Sequence, residues 1–154
     1  MAGESGGKEK VTTDANAPTD VGCAIIERKG SIHIAQRKPG AWYSGYWEFP
    51  GGKRESGETI PACLIREVSE ELGIEILPEK LIWQSEYVYP HRRARLYFYL
   101  CRWVSGTPFR RDCHDHRWVL LEEMSRYRFL PADLPLIREM SLKKKHYFGP
   151  DWPG

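Results

Sequence analysis

Residues 51 to 74 read GGKRESGETIPACLIREVSEELGI, and the fold is decided on this stretch. Two glycines follow Pro50, a polar loop comes next, and the remainder carries helical signals. Pro61 suits a first helical turn, Thr59 is an N-cap residue and Gly73 is a C′ stop. Glu67, Glu70 and Glu71 stand at i, i+3 and i+4, so their carboxylates share one helix face. Ala62, Leu64, Ile65, Val68 and Leu72 supply apolar packing on the rest. Like charges at this spacing cost roughly 0.3 kcal/mol per pair. A solvated acidic face is one meaning of the pattern. A site for a hard divalent cation is the other, because Mg²⁺ takes carboxylate oxygens and keeps waters for a phosphate substrate.

The spacing runs Gly52, five residues, Glu58, seven residues, Arg66-Glu67-Val68, one residue, Glu70-Glu71, one residue, Gly73-Ile74. With every fixed position filled, this resembles the signature of the Nudix hydrolases. Trp47-Glu48-Phe49-Pro50 before it and Lys53 within it are most similar to the MutT-type branch, which acts on nucleoside triphosphates. The resemblance extends over residues 20 to 142.

It implies an α/β Nudix fold, a mixed β-sheet sandwiched between α-helices, and a hydrolase of phosphoric anhydride bonds. It also implies Mg²⁺ as cofactor, with Mn²⁺ as a substitute. Glu67, Glu70 and Glu71 would then supply metal ligation and a base, and the Gly51 carbonyl a further ligand. We assign the base to Glu67, although Nudix enzymes differ on this point, and the principal ligation to Glu70 and Glu71. Glu58 and Arg66 are expected to form an ion pair tying loop to helix. Aligned on Trp118, Asp112 takes the place of another acidic ligand one methylene longer, with Asp115 as its substitute.

For the substrate, Arg37 ends a strand as an arginine does in MutT-like sequences and is expected at phosphate, where a guanidinium binds two oxygens at once. Lys53 and Arg92 are further contacts of that kind, against a plain reading of each as surface charge. Phe49 offers an aromatic wall to the base or simple core packing. Asp133, in Leu130-Pro131-Ala132-Asp133-Leu134-Pro135, resembles a base-reading segment, and its plain reading is an acid at a helix N-terminus. Ionised, it accepts only, which suits the adjacent N1–H and N2–H₂ of guanine; protonated, it suits cytosine.

The chain of 154 residues, 41% hydrophobic and 29% charged, is that of one soluble globular domain. No apolar run reaches the roughly 20 residues of a membrane span, so the cytoplasm is the expected location. Cys23, Cys63, Cys101 and Cys113 lack metal-type spacing and read as reduced thiols, Cys63 and Cys101 within apolar patterns. The net charge of +2 is small. Basic clusters at residues 91 to 95, 110 to 111 and 143 to 146 nevertheless leave a triphosphorylated RNA 5′ end as an alternative substrate to a free nucleotide. A CTP-type or nucleotide-sugar substrate and a non-catalytic binding module are further alternatives, and a homodimer stays open.

Three regions are expected: a flexible tail over residues 1 to 19, the domain over 20 to 142, and a basic, aromatic tail over 143 to 154. Within the domain, strands are expected at residues 21–27, 31–37, 46–49, 81–89, 94–104 and 117–121. Helices are expected from Thr59 to Gly73 and over 132–143, with a helical turn at Glu122.

Overall fold

The computed structural model describes residues 17–153. The expected N-terminal tail lies almost wholly outside them, and Thr19 already belongs to the first strand. The strands are β1 (Thr19–Arg28), β2 (Ser31–Gln36), β3 (Trp47–Glu48), β4 (Gly51–Lys53), β5 (Glu75–Tyr89), β6 (Arg92–Ser105) and β7 (Asp115–Val119). The helices are α1 (Ile60–Leu72), α2 (Leu134–Leu142) and α3 (Lys144–Phe148), with 3₁₀ turns at Leu121–Arg126 and Pro131–Asp133.

The strands form one mixed sheet in the order β3-β2-β1-β6-β5, with β4 also on β1 and β7 on β2. Only β1 and β6 run parallel among the named pairs, from Thr19 opposite Ala94 to Glu27 opposite Arg102. β1 is apolar on both faces, as a central strand must be when helices cover both sides. Ala24 and Ile26 face α1 and pack with Leu64, Val68 and Leu72. Val21, Cys23 and Ile25 face the other way, toward Leu136 and Met140 of α2. This is the sandwich expected from the sequence.

Some boundaries differ. β5 begins at Glu75 rather than residue 81, because β6 is long enough to keep pairing through Pro78. The irregularity is taken up by a register shift between Pro78 and Lys80, which proline permits on an edge strand. β7 starts two residues early because Asp115 pairs with Gln36 of β2. The helix expected over 132–143 opens as a 3₁₀ turn and becomes α2 only at Leu134. Beyond residue 142 the chain forms α3, and Trp152 is buried in the core shared with α2.

Candidate active site

Local sequence builds the helix that carries the carboxylates. Thr59 Oγ1 accepts the Ala62 N–H at 3.2 Å. Gly73, at φ 70°, ends α1 in the left-handed region and donates its N–H to Ser69 O. The apolar face is fixed against β1, so Glu67 and Glu71 must rise beside β4, one turn apart.

Gly52 sits directly under Glu67. A methyl group there would stand 2.7 Å from both carboxylate oxygens, so only glycine lets the side chain lie against the loop. Arg66 holds the arrangement from the side. Its Nε and one terminal nitrogen donate to the two Glu58 oxygens at 2.6 and 2.9 Å. The other terminal nitrogen reaches Glu67 at 3.0 Å and Glu70 at 3.3 Å. A further bond to the Lys53 carbonyl at 3.2 Å ties the helix to the loop. The Glu58–Arg66 pair thus joins loop and helix as the resemblance implies, and it holds the Glu58 carboxyl below its ordinary range.

The three glutamates lie at graded depths. The Glu70 side chain is 60% exposed and the Glu67 side chain 19%. Glu71 lines a cavity beside Gly51, whose N–H points to its Oε1 at 3.4 Å. Burial pushes the Glu71 carboxyl well up, and the negative charges of Glu48, Glu67 and Asp112 push it further. Burial also raises Glu67, against the pull of Arg66. No ion pair holds Glu71 among the described residues, while the three carboxylates whose charge it feels are already paired, Glu48 with Arg37, Glu67 with Arg66 and Asp112 with Lys38. That is the environment a divalent cation relieves, and the donors are the hard oxygens that Mg²⁺ or Mn²⁺ prefers. As the side chains stand, no three acidic, histidine or cysteine groups among the described residues close around one point. The Arg66 guanidinium occupies the space between Glu67 and Glu70.

Asp112 and Asp115 part company. The Asp112 N–H donates to the Glu71 carbonyl at 3.3 Å, and its carboxylate pairs with Lys38 at 2.5 Å. It lines a groove with Glu48 and Glu71. Asp115 instead accepts from its neighbours, His116 N–H at 2.8 Å and Arg117 at 3.1 Å.

The cavity, about 130 Å³, runs from the Gly51-Gly52 loop to Asp133. Arg37, Phe49, Lys53, Arg92 and Asp133, all expected near substrate, line it. Arg37 is not free, however. Its guanidinium donates to both oxygens of Glu48 at 3.1 and 3.2 Å, and its Nε to the Trp42 carbonyl at 2.6 Å. Phe49 lines the cavity and also packs in the core on Phe129, with ring centres 5.4 Å apart.

Asp133 is 3% exposed, and its Oδ2 has no hydrogen-bond partner among the described residues. Burial drives its carboxyl well above the ordinary range, and Glu48 adds to the rise against Arg37. Glu48, Trp42 and Tyr89 line the same cavity. Sequence reasoning gave none of them a role, although Glu48 lies inside the quoted Trp-Glu-Phe-Pro segment.

Comparison with known proteins gives a consistent result. Residues 21–139 match the model of the NUDIX domain. An 8-oxo-dGTP diphosphatase of Haemophilus influenzae is 35% identical over 129 residues, covering 83% of this chain and 94% of the relative. A CTP pyrophosphohydrolase of Escherichia coli is 39% identical over 124 residues, covering 77% and 87%. The solution structure of the E. coli ORF135 protein superposes with a TM-score of 0.71 at 32% identity, covering 83% of this chain and 91% of that one.

Proposed function

This chain belongs to the Nudix family of hydrolases acting on pyrophosphate bonds, and on that premise we propose that it cleaves a nucleoside 5′-triphosphate to the monophosphate and pyrophosphate. The observation that carries this reading is the continuity of the cavity. One cavity is lined both by the Gly51-Gly52 loop with Glu71 and by a buried acid with an unused oxygen, Asp133. A triphosphate at the loop and a base at Asp133 use both.

The residues divide the work. Glu70, Glu71 and the Gly51 carbonyl are the proposed holders of Mg²⁺, with Glu67 and Asp112 beside them. The cation supplies neutralisation of the charge that protects a phosphoanhydride. Glu67, raised by burial yet oriented by Arg66, is the proposed acceptor of a proton from the attacking water. Arg92 and Lys53 face the phosphates. Arg37 fixes Glu48 and the following loop, and it turns to phosphate only by leaving that pair.

Guanine, normal or oxidised, is the favoured base, since its N1–H and N2–H₂ meet the two acceptors of an ionised Asp133. One observation favours a second reading. Burial raises the Asp133 carboxyl well above its ordinary range, which favours the neutral acid, and a neutral acid offers one donor and one acceptor, matching cytosine N3 and N4–H₂. A pyrimidine triphosphate such as CTP is therefore the rival. Triphosphorylated RNA has less support, because the basic clusters hold ion pairs within the chain. Arg95 binds Asp20 at 2.9 Å and Lys143 binds Glu139 at 3.3 Å.

The test is a substrate panel with Mg²⁺, resolving products by chromatography: GTP, dGTP, 8-oxo-dGTP, CTP, ATP and triphosphorylated RNA. Monophosphate and pyrophosphate from a guanine nucleotide, at the highest kcat/KM, is the expected result. A preference for CTP would install the second reading. Turnover of RNA alone would overturn both.

A further inference from the structure

Two exposed aromatic rings from different segments stack on each other in the lining of the cavity. Trp42 comes from the loop between β2 and β3, and His91 from the two-residue turn between β5 and β6. Their ring centres are 4.2 Å apart with 6° between the planes. Both line the cavity that holds Glu71 and Asp133. Neither ring is hidden: Trp42 is 56% exposed and His91 is exposed. A pair so open adds little to the core, yet the chain takes trouble to place the indole. Tyr43, next in sequence, sits at φ 56°, a left-handed conformation uncommon outside glycine. The Trp42 carbonyl is anchored by Arg37, itself fixed on Glu48. Tyr43 in turn packs edge-on to Tyr89, with centres 5.7 Å apart.

We propose that Trp42 is the platform on which the nucleobase of the substrate stacks, and that His91 covers this face until a base displaces it. The inference rests on the nucleotide reading given above. The chemistry of the surroundings selects the ligand: a flat aromatic face, a hydrogen-bonding acid inside the cavity, and Lys53 and Arg92 lining the same space. A planar heterocycle carrying phosphates meets all three. The near-parallel imidazole already shows the stacking geometry that such a ring would adopt.

Stacking on an aromatic side chain is worth about five- to tenfold in affinity toward the lower end of its usual range. Trp42→Ala is therefore expected to raise KM for the preferred triphosphate about five- to tenfold, with kcat within about twofold. Trp42→Phe should recover most of the loss. Inorganic tripolyphosphate has no base, so its inhibition constant should stay unchanged in every variant. His91→Ala should lower KM or leave it as it is. An unaltered KM in Trp42→Ala, or an equal weakening of tripolyphosphate, would overturn the platform. A KM in His91→Ala raised like that of Trp42→Ala would overturn displacement. If the wild-type protein turned over no nucleoside triphosphate, the proposed function would fall, but the platform would still be tested. Titration with GMP and CMP, followed by tryptophan fluorescence, should quench wild-type protein and not Trp42→Phe. Absent quenching, or equal quenching in both, would sink the idea.

Discussion

Single side chains at this site trade stability for chemistry. Asp133 is a buried acid and Glu71 a half-buried one, and in both desolvation opposes ionisation, so each strains the fold in its charged form. Glu71→Gln keeps the shape and removes the charge. Turnover should fall about 100-fold or more, and the rise in Tm expected of the wild type in saturating Mg²⁺ should be absent from the variant. Retention of either by the variant would exclude Glu71 as a metal ligand. Asp133 makes a separate prediction. In the unfolded chain its carboxyl ionises near an ordinary pKa of about 3.9. In the fold the value is raised, so stability is full below about pH 3.9 and declines as pH climbs through the folded value. Asp133→Asn removes that decline. Its Tm should exceed the wild type by about 3 °C at neutral pH, and the difference should close in acid. An equal offset in acid and at neutral pH would show that Asp133 ionises freely in the fold.

At the scale of elements, α1 is the part on which the site depends, and its two ends are stopped by different means. Thr59 caps the N-terminus through one hydrogen bond. Replacing it by alanine should cost about 1 kcal/mol in urea denaturation. Gly73 closes the C-terminus at φ 70°, and a methyl group there would also run into the Phe109 ring. Gly73→Ala should therefore cost more than Thr59→Ala, by about 1 kcal/mol or more. A smaller loss at Gly73 would mean that the loop carrying Phe109 yields freely. The connection from β4 to α1 depends on Arg66 in a similar way, since Glu58, Glu67 and the Lys53 carbonyl all bond to it.

At the scale of the whole molecule, the chain beyond α2 belongs to the core. Trp152 is 8% exposed and stacks on Phe148 with ring centres 4.1 Å apart. Trp152→Ala should cost about 3 kcal/mol, the lower end for emptying a buried tryptophan site. Stability within about 0.5 kcal/mol of wild type would show that the segment only rests on the surface. No helix among the described residues is long and apolar enough to cross a membrane.

Much of this was legible in the residues. Helix α1 and its caps followed from spacing and local turn chemistry, because each signal acts within a few residues of itself. The Glu58–Arg66 pair followed from the resemblance of the same stretch to the Nudix signature. The apolar strands gave the layered class for the same reason: a two-sided run such as Val21 to Ile26 has to be covered on both faces. What the sequence left open depends on distant partners. The grip of Glu48 on Arg37 joins residues eleven apart across a loop. The separation of Asp112 from Asp115 follows from where β7 meets β2. Lys38 and Asp112 lie 74 positions apart, and Trp42 meets His91 in the lining of the cavity. The depth of Asp133 is the clearest case. A helix-end acid is ordinarily exposed and ionised, and only the packing of the 3₁₀ turn around it against the sheet makes it a buried acid whose carboxyl is raised well above its ordinary range.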